Sequence, residues 1–108
     1  MRSMSKSPTT TELRMPIHPG EILQEELLTP LGLSLSELAR GILVPVNRLS
    51  QIVRGRRAIT PDTALRLSRY FGLSPEYWVR LQMRYEFELV RRRDGARIEK
   101  EVTPREAA

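Results

Sequence analysis

Between Leu38 and Arg57 the chain reads LARGILVPVNRLSQIVRGRR, and its polar side chains are of few kinds. Arg48 carries a planar fork of donors that fits the O6 and N7 acceptors of guanine. Asn47 and Gln51 each pair one donor with one acceptor, the arrangement that adenine N6 and N7 require. Val46 beside them can meet only a thymine methyl. Arg54, Arg56 and Arg57, with the hydroxyls of Ser36 and Ser50, suit phosphate oxygens, which fix register rather than sequence. Ser36 has a second reading, as a helix cap beside Ser34.

Other chemistries find little here. There is no cysteine, which removes disulfides, thiolate metal ligands and thiol nucleophiles together. The single histidine, His18, has no nearby nucleophile or partner acid and reads as a helix-initiating residue. Glu25-Glu26 and Glu86-x-Glu88 read as solvated acids rather than a general acid/base pair. We therefore expect no enzyme, no metal and no cofactor.

The charge is unevenly placed. The net charge is +5, and residues 36–60, with five arginines against Glu37 alone, hold +4 of it. A clustered positive surface suits a polyanion such as nucleic acid, although a solvated arginine-rich face accounts for the charge equally well. No apolar run approaches the roughly 18 residues of a membrane span. The first fourteen residues lack the apolar stretch of a secretory signal, and with the missing cysteine this points to the cytoplasm.

For Asn47, Arg48 and Gln51 to reach base edges, a helix must carry them into a groove, and the sequence marks its helices clearly. His18-Pro19-Gly20-Glu21 opens one over about 19–29, closed by Pro30 and Gly32. Ser34 and Glu37 have capping-box spacing, so a second runs to about Ile42. A third spans the stretch from near Pro45 to Gly55. Thr60-Pro61-Asp62 starts a fourth that stops at Gly72, and Ser74-Pro75-Glu76 starts a fifth that continues through about Val90. Strand-like alternation occurs only weakly, over Arg97–Val102. The expectation is an all-α chain of five helices: residues 1–15 a flexible tail, 16–90 the domain, and 91–108 a charged extension, either ordered or disordered.

Leu38, Ala39, Ile42, Val44, Leu49 and Ile52 match the helix-turn-helix spacing of the Xre/Cro-like repressors at six positions. This implies a five-helix, lambda-repressor-like fold. That pattern places a glycine just before Val44, whereas this chain has Leu43 there and Gly41 two residues earlier. Leu43 must then either accept a positive φ or force an altered turn. The segments IHPGEIL, LGLSLSELA, NRLSQIVRGRRAIT and DTALRLSRYFGLSPEYWVRLQ together resemble HigA-type antitoxins of type II toxin–antitoxin systems.

The resemblance implies a dimeric repressor of its own operon that binds double-stranded operator DNA. It also implies neutralisation of a basic, RelE-like mRNA endoribonuclease toxin of HigB type. Tyr77, Trp78, Leu81, Tyr85 and Leu89 fall at helical spacing and form the expected dimer surface. Val79, Met83, Phe87 and Val90 are apolar on other faces, so the fifth helix must bury more than one face. The acids Glu21, Glu25 and Glu26 form the expected toxin-facing surface, and Glu12 in the tail adds to their charge. Two readings remain beside the antitoxin: a solitary Xre-family transcriptional regulator without a toxin, and a protein-interaction module that binds no DNA.

Overall fold

The computed structural model describes residues 15–106, within which five helices and no strand occur. Residues 1–14, most of the expected N-terminal tail with Glu12, lie outside the described residues. Helix α1 is continuous but changes pitch: α-helical over Pro19–Ile22, π-helical over Leu23–Leu28, and α-helical again over Thr29–Leu31. Helices α2 (Leu35–Ile42) and α3 (Val46–Val53) follow, then α4 (Pro61–Phe71) and α5 (Pro75–Glu101).

The local signals act through identifiable atoms. Ser34 Oγ accepts from the Glu37 amide at 3.1 Å, while Glu37 Oε1 accepts from the Ser34 amide at 2.9 Å. Those bonds satisfy two otherwise orphaned donors at the start of α2, and the Ser34 backbone contact holds the Glu37 carboxyl below its ordinary pKa. Thr60 Oγ accepts from the Thr63 amide in the same way at the start of α4. Gly32 and Gly72 end α1 and α4 in left-handed conformations that cost glycine nothing.

The π-helical stretch has a purpose in packing. The Thr29 amide reaches back five residues to the Gln24 carbonyl, and the same spacing stacks Leu28 over Leu23. Both leucines are fully buried. In a regular α-helix, residues five apart diverge by well over a quarter-turn, and one of the two would face water.

Helix α5 is longer than its apolar residues suggest. It was expected to stop near Val90, and the alternation at Arg97–Val102 hinted at a strand; instead the helix runs on to Glu101. Ion pairs at helical spacing line this extension: Arg91 with Glu88 at 3.6 Å, Arg97 with Asp94 at 3.2 Å, and Arg97 with Glu101 at 3.0 Å. Such pairs each add a few tenths of a kcal/mol, about 0.2–0.5. No proline interrupts the helix until Pro104 lies just beyond its end.

One core joins the elements, with α1 against α3 and α5, α2 against α3 and α4, and α4 against α5. All six helix-turn-helix positions (Leu38, Ala39, Ile42, Val44, Leu49 and Ile52) are buried in it. Trp78 lies wholly inside, and truncating a buried tryptophan costs about 3–5 kcal/mol. The expected dimer role of Trp78 is therefore corrected: with 0% exposure it cannot meet a second chain. Leu81 also turns inward, partly buried against the same core. The stripe that α5 leaves exposed is the other one, with Val79 at 41%, Met83 at 62%, Phe87 at 56% and Val90 at 39%. The two apolar faces of α5 exist as expected, but Trp78 and Leu81 belong to the one that closes the protomer.

Candidate nucleic-acid interface

Helix α3 begins without a side-chain cap, since Pro45 supplies none, and its first turn stands clear of the core. Val46 is 46% exposed, Asn47 is exposed, and Arg48, Ser50 and Gln51 are half-buried on the helix flank. Leu49 and Ile52 anchor the opposite face. Side chains of the base-reading type thus share the outer side and the start of one helix, fixed from behind by apolar packing.

Arg54, Arg56 and Arg57 are exposed at the other end of α3. Gly55, at φ 76°, reverses the chain there, and the Arg56 amide donates to the Gln51 carbonyl at 2.8 Å. The reversal folds Arg57 back along α3, where its Nε donates to Gln51 Oε1 at 2.7 Å. Gln51 therefore has its acceptor engaged by Arg57, a coupling invisible at a sequence spacing of six. Ser36 is exposed in the first turn of α2, and the capping role falls to Ser34. Ser36, Ala39 and Arg40 form a shallow recess with Leu43, Val44 and Val46, so the start of α2 and the start of α3 border one surface.

The turn between α2 and α3 answers the question raised by its missing glycine. Leu43 takes the left-handed conformation, φ 59° and ψ 50°, the only non-glycine with positive φ among the described residues. Its amide and that of Val44 both donate to the Ala39 carbonyl. A side chain in this conformation costs about 1 kcal/mol. Gly41 has a separate cause: a methyl there would collide with the Tyr70 ring of α4, which lies over it. The two positions are therefore independent, and Gly41 is not a displaced turn glycine.

His18 joins the basic loop to the rest. Its Nδ1 accepts from the Gly20 amide at 2.8 Å, capping α1, and its ring packs edge-to-face on Tyr85 at 4.8 Å. The Arg57 backbone lies close enough to favour its charged form. Burial lowers its pKa, outweighing the Arg57 contact and the Glu21 charge. From the far side of the loop, Gln82 Oε1 accepts from the Ile59 amide at 2.9 Å while Gln82 Nε2 donates to Glu86 at 3.0 Å. The available sequence signal for Gln82 was its place four residues after Trp78, on the same helix face, within the run YWVRLQ.

The remaining predicted residues are dispersed. Glu21, Glu25 and Glu26 are exposed on α1. Tyr77 is 37% exposed, and Tyr85 and Leu89 are half-buried. Leu81 and Tyr85 border a groove closed on its other side by Met15, Pro16 and Ile17.

Comparison with known proteins adds independent findings. The helix-turn-helix family model matches residues 23–78. Virulence-associated protein I of Dichelobacter nodosus is 51% identical over 73 residues, 68% of each chain. An addiction module antidote protein of the HigA family from Coxiella burnetii superimposes with a TM-score of 0.81 at 48% identity, covering 85% of this chain and all of the other. The Pseudomonas aeruginosa antitoxin HigA, whose structure was determined with the higBA promoter, superimposes with a TM-score of 0.80 at 42% identity, covering 82% of this chain and 97% of that one.

Proposed function

The chain belongs to the Xre-type helix-turn-helix family, which is DNA-binding and not enzymatic, and from that premise we propose that it is an antitoxin and operon repressor. It binds operator DNA as a symmetric dimer, with α3 in the major groove, and neutralises a RelE-like endoribonuclease toxin. The observation that carries this reading is the likeness, at 42% identity over 82% of this chain, to an antitoxin whose structure was determined with the higBA promoter.

At the operator, Arg48 takes guanine O6 and N7, Asn47 takes adenine, and Val46 rests on a thymine methyl. Gln51, with its acceptor held by Arg57, presents donors and so favours purine acceptors over the two-way adenine contact. Ser36, Ser50, Arg54 and Arg56, with the remaining nitrogens of Arg57, hold phosphates. Two copies meet through the exposed stripe of α5 (Val79, Met83, Phe87 and Val90), together with the outer edges of Tyr77 and Leu89. The acids of α1 (Glu21, Glu25 and Glu26) receive the basic toxin.

DNA binding measured against salt tests the first part. Arg48→Ala should relax preference at one base pair by about 1–3 kcal/mol, whereas Arg56→Ala should weaken all sequences alike and flatten the salt slope. Equal losses on operator and random DNA for Arg48→Ala would contradict the assignment. Copurification with the product of the adjacent gene tests the second part. A short basic partner lost on reversing Glu25 and Glu26 to lysine supports it. Absence of any such partner leaves a solitary regulator.

A further inference from the structure

A hydrogen-bonded clamp on α4 ties that helix to the turn that aims α3. Arg66 Nη1 donates to the Ile42 carbonyl at 2.9 Å and to the Leu43 carbonyl at 3.4 Å. Its Nε donates to Asp62 Oδ1 at 2.7 Å, one helical turn back, which fixes the direction of the guanidinium plane. The two accepting carbonyls sit at the C-terminal end of α2, where unpaired oxygens and the helix dipole both favour a cation. They also flank the one residue among the described set that holds a left-handed conformation without being glycine.

We propose that Arg66, oriented by Asp62, is a positioning residue for DNA recognition: it holds Leu43 left-handed and thereby sets the angle at which α3 leaves α2. Only Val44 and Pro45 separate Leu43 from α3, so the dihedral angles at Leu43 decide where Val46, Asn47 and Arg48 point. A glycine at 43 would keep the turn unaided. A leucine there is biased towards the commoner backbone regions. The Leu43 and Val44 amides bonded to the Ala39 carbonyl oppose this from within the turn, and Arg66 Nη1, shared between two consecutive carbonyls, opposes it from outside. The inference rests on α3 being the DNA-reading helix, but its structural half can be read without DNA.

The test is a four-protein cycle of wild type, Arg66→Met, Leu43→Gly and the double variant. Each is assayed for operator affinity well below its melting temperature and for exchange of the Leu43 and Val44 amides. Arg66→Met should lose about five- to thirtyfold in operator affinity, with little change on random DNA, and its two amides should exchange faster. Leu43→Gly alone should stay within about twofold of wild type, and in the double variant it should restore most of the lost affinity.

Wild-type affinity and exchange in Arg66→Met, or failure of Leu43→Gly to rescue it, would overturn the inference. If Arg66→Met does not fold, the double variant decides. Folding and operator binding support the clamp, and continued misfolding assigns Arg66 to general stability instead. A wild-type protein that binds no operator would sink the DNA reading, while amide exchange would still judge the clamp.

Discussion

Replacing Gly20 with alanine should damage this protein, although the same change usually helps a helix. Gly20 is where α1 crosses the C-terminal half of α3. A methyl group built there would overlap the Ile52 carbonyl and come within 2.9 Å of the Val53 Cα. These are backbone atoms inside a helix, so no rotamer change can make room. Contacting carbons rest at about 3.5–4.0 Å and the overlap with the Ile52 carbonyl is deeper still, so one helix must move by more than roughly 1 Å. Overpacking of this kind costs about 1–3 kcal/mol or somewhat more, and the intrinsic gain of alanine over glycine, about 1 kcal/mol, offsets only part of it. A net loss near 2 kcal/mol lowers the melting temperature of a domain this size by about 8–16 °C.

Thermal unfolding followed by circular dichroism at one fixed protein concentration reads this directly, since dimerisation would make the midpoint concentration-dependent. Gly95→Ala is the internal control. It sits in α5 with only the Arg91 side chain nearby, at 3.5 Å, so it should leave the midpoint unchanged or raise it. A Gly20→Ala protein that melts within about 2 °C of wild type would refute the close-approach argument.

Gln82→Leu removes the acceptor for the buried Ile59 amide and should destabilise by about 1–3 kcal/mol, with Gln82→Glu no milder, because the carboxylate that keeps an acceptor loses the donor to Glu86 and faces it as a like charge; denaturant titration checks both. His18 is the only histidine, and its folded pKa lies below the ordinary 6.5. The unfolded chain therefore takes up a proton first, and stability present above pH 6.5 is lost as pH falls from there through the folded value. Melting curves should slide downward across that window in wild type but not in His18→Gln; parallel curves would count against it. Aspartate at Met83 or Phe87, both more than half exposed, should convert dimer to monomer in light scattering without changing helicity. A persistent dimer would place the interface elsewhere.

The parts legible in the sequence were those governed by residues close together in the chain. Ser34 with Glu37, Thr60 with Pro61, and the terminal glycines at 32 and 72 act within a turn of helix, so spacing reveals them. The arginines of the basic segment and the outer side of α3 followed from the same local reasoning. What escaped was set at long range or by an unusual pitch. Tyr70 explains Gly41 from 29 positions away, and Arg66 reaches the turn from 24. Leu23 and Leu28 share a face only because α1 is π-helical between them. The inward turn of Trp78 depends on how α5 rolls against α4, and two apolar stripes on one helix give no indication of which faces the core.

Leucine at 43 and glycine at 41 also constrain the order in which this turn can change over generations. On the clamp reading Arg66 becomes dispensable once position 43 is glycine, and a larger residue at 41 requires the Tyr70 ring to move aside or be replaced by something smaller. Each of these second steps is harmful alone and tolerated once its partner has changed. Exchanging single residues between relatives at these positions should therefore mislead, whereas moving 43 with 66, or 41 with 70, should transplant cleanly. In such exchanges the turn should behave as two linked pairs rather than four independent sites.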